Sequence, residues 1–337
     1  MPALYPLLCT PLFKSKIWGG RKLEALFNFP LPAGEKIGEA WVAADLPEGA
    51  SLIANGPLAG KPLSEARQQW GEALIGTAWR GKPTGERFPL LIKYLDAQDN
   101  LSIQVHPDTA ACEKWFPNDF SKDETWIILD SEANGRILHG FKPEVTLADF
   151  DRELASGDVT ETIRSLTVQP GEFFRVAPGT VHALCSGVAI LEIQEPSDTT
   201  YRIYDYNRPG DDGKPRALHL DQARKVMKFD DATEPHGTAV QIAQVWGTHE
   251  LLVDTPPYRI ERLDIAQEFS YTVNPRTAQA FILLEGEAEV RGGETTVRLK
   301  KGDCVILPAA IGTVTVRPFS ASAKAVLTGA GDAPFIA

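Results

Sequence analysis

From Leu101 the chain reads "LSIQVHPD", and apolar and polar positions alternate through it. Ile103 and Val105 are apolar and β-branched, and Ser102, Gln104 and His106 fall between them. Side chains at i and i+2 of a strand share a face. The pattern therefore predicts a strand with one apolar face and one face bearing a hydroxyl, an amide and an imidazole. An ordinary half-wet strand has this pattern, and so does a strand that lines a polar cavity.

The same reading runs along the chain. "KIGEAWVAADLP" (36–47), "FPLLIKYLDA" (88–97) and "DETWIILD" (123–130) have strand character, and residues 1–35 read as loops and short strands. Helical spacing appears in "KPLSEARQQWGEALIG" (61–76), "DTAACEKWF" (108–116), "TLADFDRELASG" (146–157) and "RALHLDQARKVMKF" (216–229). From about residue 166, and again from Ala239, short strands separated by turn residues predict barrels or sandwiches. "VQPGEFFRVAPGTVHAL" (168–184) resembles "LKKGDCVILPAAIGTVTV" (299–316): Gly171-Glu172 matches Gly302-Asp303, and Pro178 matches Pro308. The first copy carries His182, and the second has no histidine there. Two barrels are expected, one bearing a site and the other not.

Composition agrees with a β-rich globular chain. Its 337 residues suggest two domains, and 25 prolines and 28 glycines supply many turns. A net charge of −11 disfavours nucleic acid and anionic membrane as partners. "MPALYPLLCTPLFKSK" lacks a basic start and is broken at Pro6 and Pro11, so it makes a poor signal peptide. A soluble, cytoplasmic protein is expected, either a monomer or a weak homo-oligomer. Cys9, Cys112, Cys185 and Cys304 are far apart in sequence and form no CxxC, which argues against a disulfide framework or a thiolate zinc site.

Gln104, His106, Glu124 and His182 are the candidate metal ligands. Two imidazoles, a carboxylate and an amide suit Zn²⁺ and could also hold Fe²⁺, Mn²⁺, Co²⁺ or Ni²⁺. A lone histidine is more often structural. His139 is the most plausible rival ligand, whereas His219, His236 and His249 read as surface or structural.

"FPLLIKYLDAQDNLSIQVHPD", "KDETW", "GTVHAL" and "SDTTYRIYDYNR" together resemble the type I phosphomannose isomerases of the cupin superfamily, as do "WGG" (18–20) and "ANGPLAGKPL" (54–63) for its shorter bacterial branch. The resemblance implies a mainly β chain of two cupin jelly-roll barrels: a catalytic domain over 1–238 with helical insertions, and a cupin-like barrel without a metal site over 239–337. It implies a zinc enzyme interconverting mannose 6-phosphate and fructose 6-phosphate. It carries the metal ligands onto Gln104, His106, Glu124 and His182, and active-site roles onto Arg202, Lys93, Lys122, Glu192 and Asp198.

Aldose–ketose isomerisation moves a proton between C2 and C1 through an enediolate. A metal and Arg202 suit the developing negative charge. The alternation in "TYRIYDY" predicts Arg202, Tyr204 and Tyr206 on one strand face; a surface salt bridge from Arg202 to Asp198 or Asp205 is the plainer alternative. Lys93, inside an apolar run, and Glu192, flanked by apolar residues, are both candidate bases, and the residues do not separate them. Lys122, Lys93 or Arg202 would supply cations to the phosphate. An iron-dependent cupin oxygenase and a non-catalytic sugar-phosphate-binding cupin are the alternatives.

Overall fold

β-branched and aromatic runs punctuated by glycine and proline become strands in the computed structural model, which describes residues 3–80, 87–210, 212–229, 234–331 and 334–336. The chain divides into two compact units: residues 13–40 with 94–237, and residues 1–12 with 41–93 and 238–337. The divisions at 12, 40 and 93 fall inside the strands Leu12–Gly20, Ile37–Ala43 and Leu91–Ala97.

In the 13–40/94–237 unit, a five-stranded sheet runs in the order Ile163–Thr167, Arg136–Phe141, His182–Leu184, Ile103–Val105, Tyr201–Tyr204. A six-stranded sheet contains Phe173–Val176, Glu124–Ser131 and Val188–Gln194 as consecutive neighbours. Ile137 and Leu184 from the first sheet pack with Trp126, Ile128, Phe174 and Ile190 from the second, closing a core between them. The other face of the five-stranded sheet is also buried. Ile103, Val105, Leu138 and Ala183 pack there with Phe150 and Val226, which come from the helices Leu147–Ser156 and Leu220–Val226. The helical insertions thus cover the apolar face of "LSIQVHP" and leave its other face turned inward.

Local signals set most of the helix ends. Asp108 caps Thr109–Trp115 by accepting from the Ala111 N–H at 2.8 Å. Thr146 and Asp149 form a capping box on Leu147–Ser156. The helix expected over 61–76 is two helices, Leu63–Trp70 and Glu72–Ile75, because Gly71 between them has φ 51°. The helix within 216–229 is confined to Leu220–Val226. The segment read as loops and short strands holds a nine-residue strand, Leu12–Gly20, and the helix Lys22–Phe27. A Cβ on Gly19 would collide with the backbone of Gly38, so the "WGG" strand approaches its neighbour too closely for any side chain.

The other unit has an eight-stranded sheet that includes Arg259–Ile265, Ala323–Gly329, Gln279–Glu285 and Cys304–Leu307, and a four-stranded sheet that includes Phe269–Thr272, Thr313–Pro318 and Glu287–Gly292. Phe281, Leu283, Val305 and Leu327 pack against Val290, Leu299 and Val314 as its core.

The sequence repeat is a repeat of atomic detail. Gly171 and Gly302 have φ 92° and 93°. Gly171 donates to Ile128 O at 2.9 Å, and Gly302 donates to Leu283 O at 2.8 Å. Glu172 and Asp303 each accept from the N–H three residues earlier, at 2.7 and 2.8 Å. Ile128 and Leu283 are therefore equivalent, and counting back four residues in each strand makes Glu124 and Gln279 equivalent.

Candidate metal centre and active site

Strand register builds the site. His139 is opposite His182, His182 opposite Gln104, and Gln104 opposite Arg202. Residues directly opposite in antiparallel strands share a face. One row of four polar residues thus crosses four strands on the inward face of the five-stranded sheet. From the six-stranded sheet, Glu124 begins its strand two residues before the core residue Trp126.

These residues converge. Glu124 Oε1 lies 3.3 Å from His182 Nε2, and Glu124 Oε2 lies 3.5 Å from His106 Nε2. The ligand atoms of His106, Glu124 and His182 all fall within 4.8 Å of one another, and all three residues are buried. The Gln104 amide lies 3.2 Å from His182 Nε2.

Both imidazoles are oriented by their other nitrogen. His106 Nδ1 lies 2.9 Å from Thr199 O, and His182 Nδ1 lies 2.9 Å from Thr180 O. A carbonyl only accepts, so each Nδ1 carries the proton and each Nε2 turns a lone pair towards Glu124. Burial pushes the His182 pKa down to about 3, against the opposing Thr180 hydrogen bond and with the Lys122 charge adding to it, so the ring is neutral.

This arrangement fits a divalent metal. Donors around a tetrahedral ion with bonds of about 2.0–2.1 Å sit about 3.4 Å apart. Both Glu124 oxygens are buried and accept no aligned hydrogen bond among the described residues. An uncompensated buried carboxylate is costly. Lys122 Nζ, 2.8 Å from Glu124 Oε2 and 3.1 Å from His106 Nε2, supplies a positive charge there. At the position equivalent to Glu124, the second barrel has the neutral Gln279. Among the described residues, His106, Glu124 and His182 are the one such group of His, Cys, Asp or Glu.

The other predicted residues are placed unequally. Glu192 is buried and pairs with Trp126 in register; its Oε2 accepts from Trp126 Nε1 at 2.9 Å. Arg202 makes neither proposed salt bridge. Its Nη1 donates to Ala217 O at 2.9 Å, whereas Asp205 is held by Arg208 and Arg216. Burial, then the Arg216 charge, pushes the Arg202 pKa down, and its Nε is buried without a hydrogen-bond partner among the described residues. Lys93 is buried in Leu91–Ala97, on the same strand face as Leu95 and Ala97, and is assigned to the other unit. Asp198 is exposed and outside the cluster.

The expected row of Arg202, Tyr204 and Tyr206 ends early. The strand stops at Tyr204 with an irregular register, and Tyr206 and Asn207 have φ 56° and 52°. A turn with two left-handed residues breaks the alternation. His139 is no rival ligand through Nε2, which lies 3.0 Å from Arg175 O. His219 Nδ1 accepts from the Arg202 N–H at 3.1 Å.

Sequence reasoning missed Trp126, which faces Glu192, and the carbonyls of Thr180 and Thr199. Trp126 was available from alternation with Glu124. A backbone carbonyl leaves no signal in residue type.

Two family models match the chain: phosphomannose isomerase type I, catalytic domain, over residues 4–151, and mannose-6-phosphate isomerase, cupin domain, over 253–321. The chain is 35% identical over 321 residues to the probable mannose-6-phosphate isomerase GmuF of Bacillus subtilis, covering 93% of this chain and 96% of that protein. It belongs to the type I phosphomannose isomerase family. The mannose-6-phosphate isomerase ManA of Bacillus subtilis is 34% identical over 311 residues, covering 91% of this chain and 94% of that protein. The crystal structure of the mannose 6-phosphate isomerase from Bacillus subtilis superposes with a TM-score of 0.86 at 32% identity, covering 96% of this chain and 99% of that one. A putative mannosephosphate isomerase from Archaeoglobus fulgidus, 19% identical with a TM-score of 0.75 and covering 98% of each chain, shares the fold. The mainly β, cupin architecture expected from sequence is the one this family shares.

Proposed function

We propose that this chain interconverts mannose 6-phosphate and fructose 6-phosphate and depends on one divalent metal ion, zinc by the chemistry of its donors. The observation that carries this reading is the convergence of His106, Glu124 and His182 on one buried point. The names of its relatives supply the substrate. Gln104 meets the His182 Nε2 lone pair through its amide nitrogen, and rotating the amide by half a turn, which leaves its shape unchanged, would present the oxygen to a bound ion and complete the donor set. Catalysis belongs to the N-terminal cupin domain within 1–238, and the cupin-like barrel of 239–337 carries no metal.

Bound there, a dication with one carboxylate and three neutral ligands leaves about one positive charge, which supplies Lewis-acid stabilisation to oxygens that become negative. The protein's own groups do the rest. Arg202, opposite Gln104, holds the developing enediolate charge with a guanidinium that cannot deprotonate. Lys122, held between Glu124 and His106, gives its ammonium to a substrate oxygen or the phosphate. Glu192 is the better supported of the two candidate bases, because the Trp126 indole N–H orients its carboxylate; Lys93 is the other. Asp198 meets sugar hydroxyls at the exposed rim. No helix among the described residues is long and apolar enough to cross a membrane.

The test is His182→Ala. The variant should keep the wild-type circular dichroism, lose bound metal and lose mannose 6-phosphate turnover. A full metal equivalent with full turnover would remove His182 from the ligand set.

A further inference from the structure

All four cysteines are free and buried. Their wide sequence spacing hides a pair. The strand Leu7–Thr10 runs antiparallel to Cys304–Leu307, and Cys9 is the register partner of Cys304. Directly opposite residues in such a pair have Cα atoms about 4.5 or 5.5 Å apart and side chains on one face. Both spacings fall inside the window of roughly 4.4–6.8 Å found in disulfides. The next pair along, Leu8 opposite Val305, turns to the barrel core, so alternation sends both thiols together to the other face. The two thiols are also close enough to interact electrostatically, the Cys9 charge being among the causes that raise the Cys304 pKa.

We propose that Cys9 and Cys304 are a cross-strand dithiol, closed to a disulfide by a two-electron oxidant such as a peroxide or an azo compound. Two S–H bonds break and one S–S bond forms. The two electrons and two protons pass to the oxidant, giving two waters from hydrogen peroxide or a hydrazine from diamide. Burial keeps both thiols protonated and unreactive in the closed sheet, with Cys9 pushed up to about 12. Access comes through the sheet edge. Leu7–Thr10 lies between Cys304–Leu307 and the two-residue edge strand Leu52–Ile53, so few ladder bonds oppose its opening. The bond would tie residue 9 to residue 304. Opposed Cβ atoms are slightly wider apart than a disulfide prefers, so reduction is easy. Cys112 and Cys185 have no cysteine opposite them among the described strand registers.

The experiment treats the full-length protein with diamide and maps it unreduced by mass spectrometry. Expected are loss of two of the four thiols, a mass decrease of about 2 Da, a linked peptide pair containing Cys9 and Cys304, and reversal by dithiothreitol. The C112S/C185S double variant should behave identically, and Cys9→Ser and Cys304→Ser should each keep three thiols. Hydrogen exchange in Leu7–Thr10 should slow in the oxidised form. Four surviving thiols in the double-checked wild type, or a linkage through Cys112 or Cys185, would overturn the proposal.

Discussion

Gln104 and His182 face each other on neighbouring strands, with the Gln104 amide 3.2 Å from His182 Nε2. That nitrogen is unprotonated, because Nδ1 carries the proton that meets Thr180 O. In the proposed site, the neutrality of Gln104 would decide how much charge remains on a bound metal. Gln104→Glu should retain metal at least as well as wild type yet lower kcat by at least about tenfold, because a second carboxylate cancels the residual charge. Metal analysis beside steady-state kinetics checks this; an unchanged kcat would show that residual charge does not drive the step.

The pH dependence of stability should carry the signature of His182. Its pKa is about 3 in the folded chain, and the imidazole titrates near 6.5 when unfolded. Between those values the unfolded state binds a proton that the folded state refuses. In chelated protein this group therefore costs stability as pH falls below about 6.5, by at most about 1.4 kcal/mol per pH unit, and contributes no slope above it. Urea midpoints at pH 7 and pH 5 should differ more for the wild type than for His182→Gln. Equal differences would mean that the folded ring titrates normally.

Arg202→Ala should lower kcat by roughly 10²–10³ with a smaller rise in KM, the pattern of a group that acts in the transition state. Arg202→Lys should not restore the rate, because an ammonium cannot both reach Ala217 O and present a planar donor pair. A change confined to KM would make Arg202 a substrate clamp.

How far the site is legible from sequence depends on the range of the interaction. Alternation in "LSIQVHPD" is enough to put Gln104 and His106 on one face. The paired turns at Gly171 and Gly302 are enough to find two barrels. Convergence is not legible, because the register that sets His182 against Gln104 joins residues 78 apart. The β-branched Ile103 and Val105 announce burial but not the helices that cover them. Arg202 reads equally as a cavity-wall residue and as a surface salt-bridger until the fold gives Asp205 to Arg208 and Arg216 instead. Tyr206 continues the alternation on paper, and a left-handed turn takes it off the strand.

Trp126→Phe tests whether Glu192 works through its orientation. The substitution keeps a ring in the core and removes the indole N–H that reaches Glu192 Oε2 at 2.9 Å. Turnover should fall about tenfold or more with metal content unchanged. Full activity would show that Glu192 does not depend on the Trp126 N–H for its action.

The most direct test of metal-dependent isomerisation is a coupled assay of mannose 6-phosphate conversion to fructose 6-phosphate, run on the protein as purified, after chelation, and after return of one equivalent of Zn²⁺. Turnover should vanish on chelation and return with the metal. Undiminished turnover in fully chelated protein would contradict the account, and so would a zinc-loaded protein that binds mannose 6-phosphate without converting it.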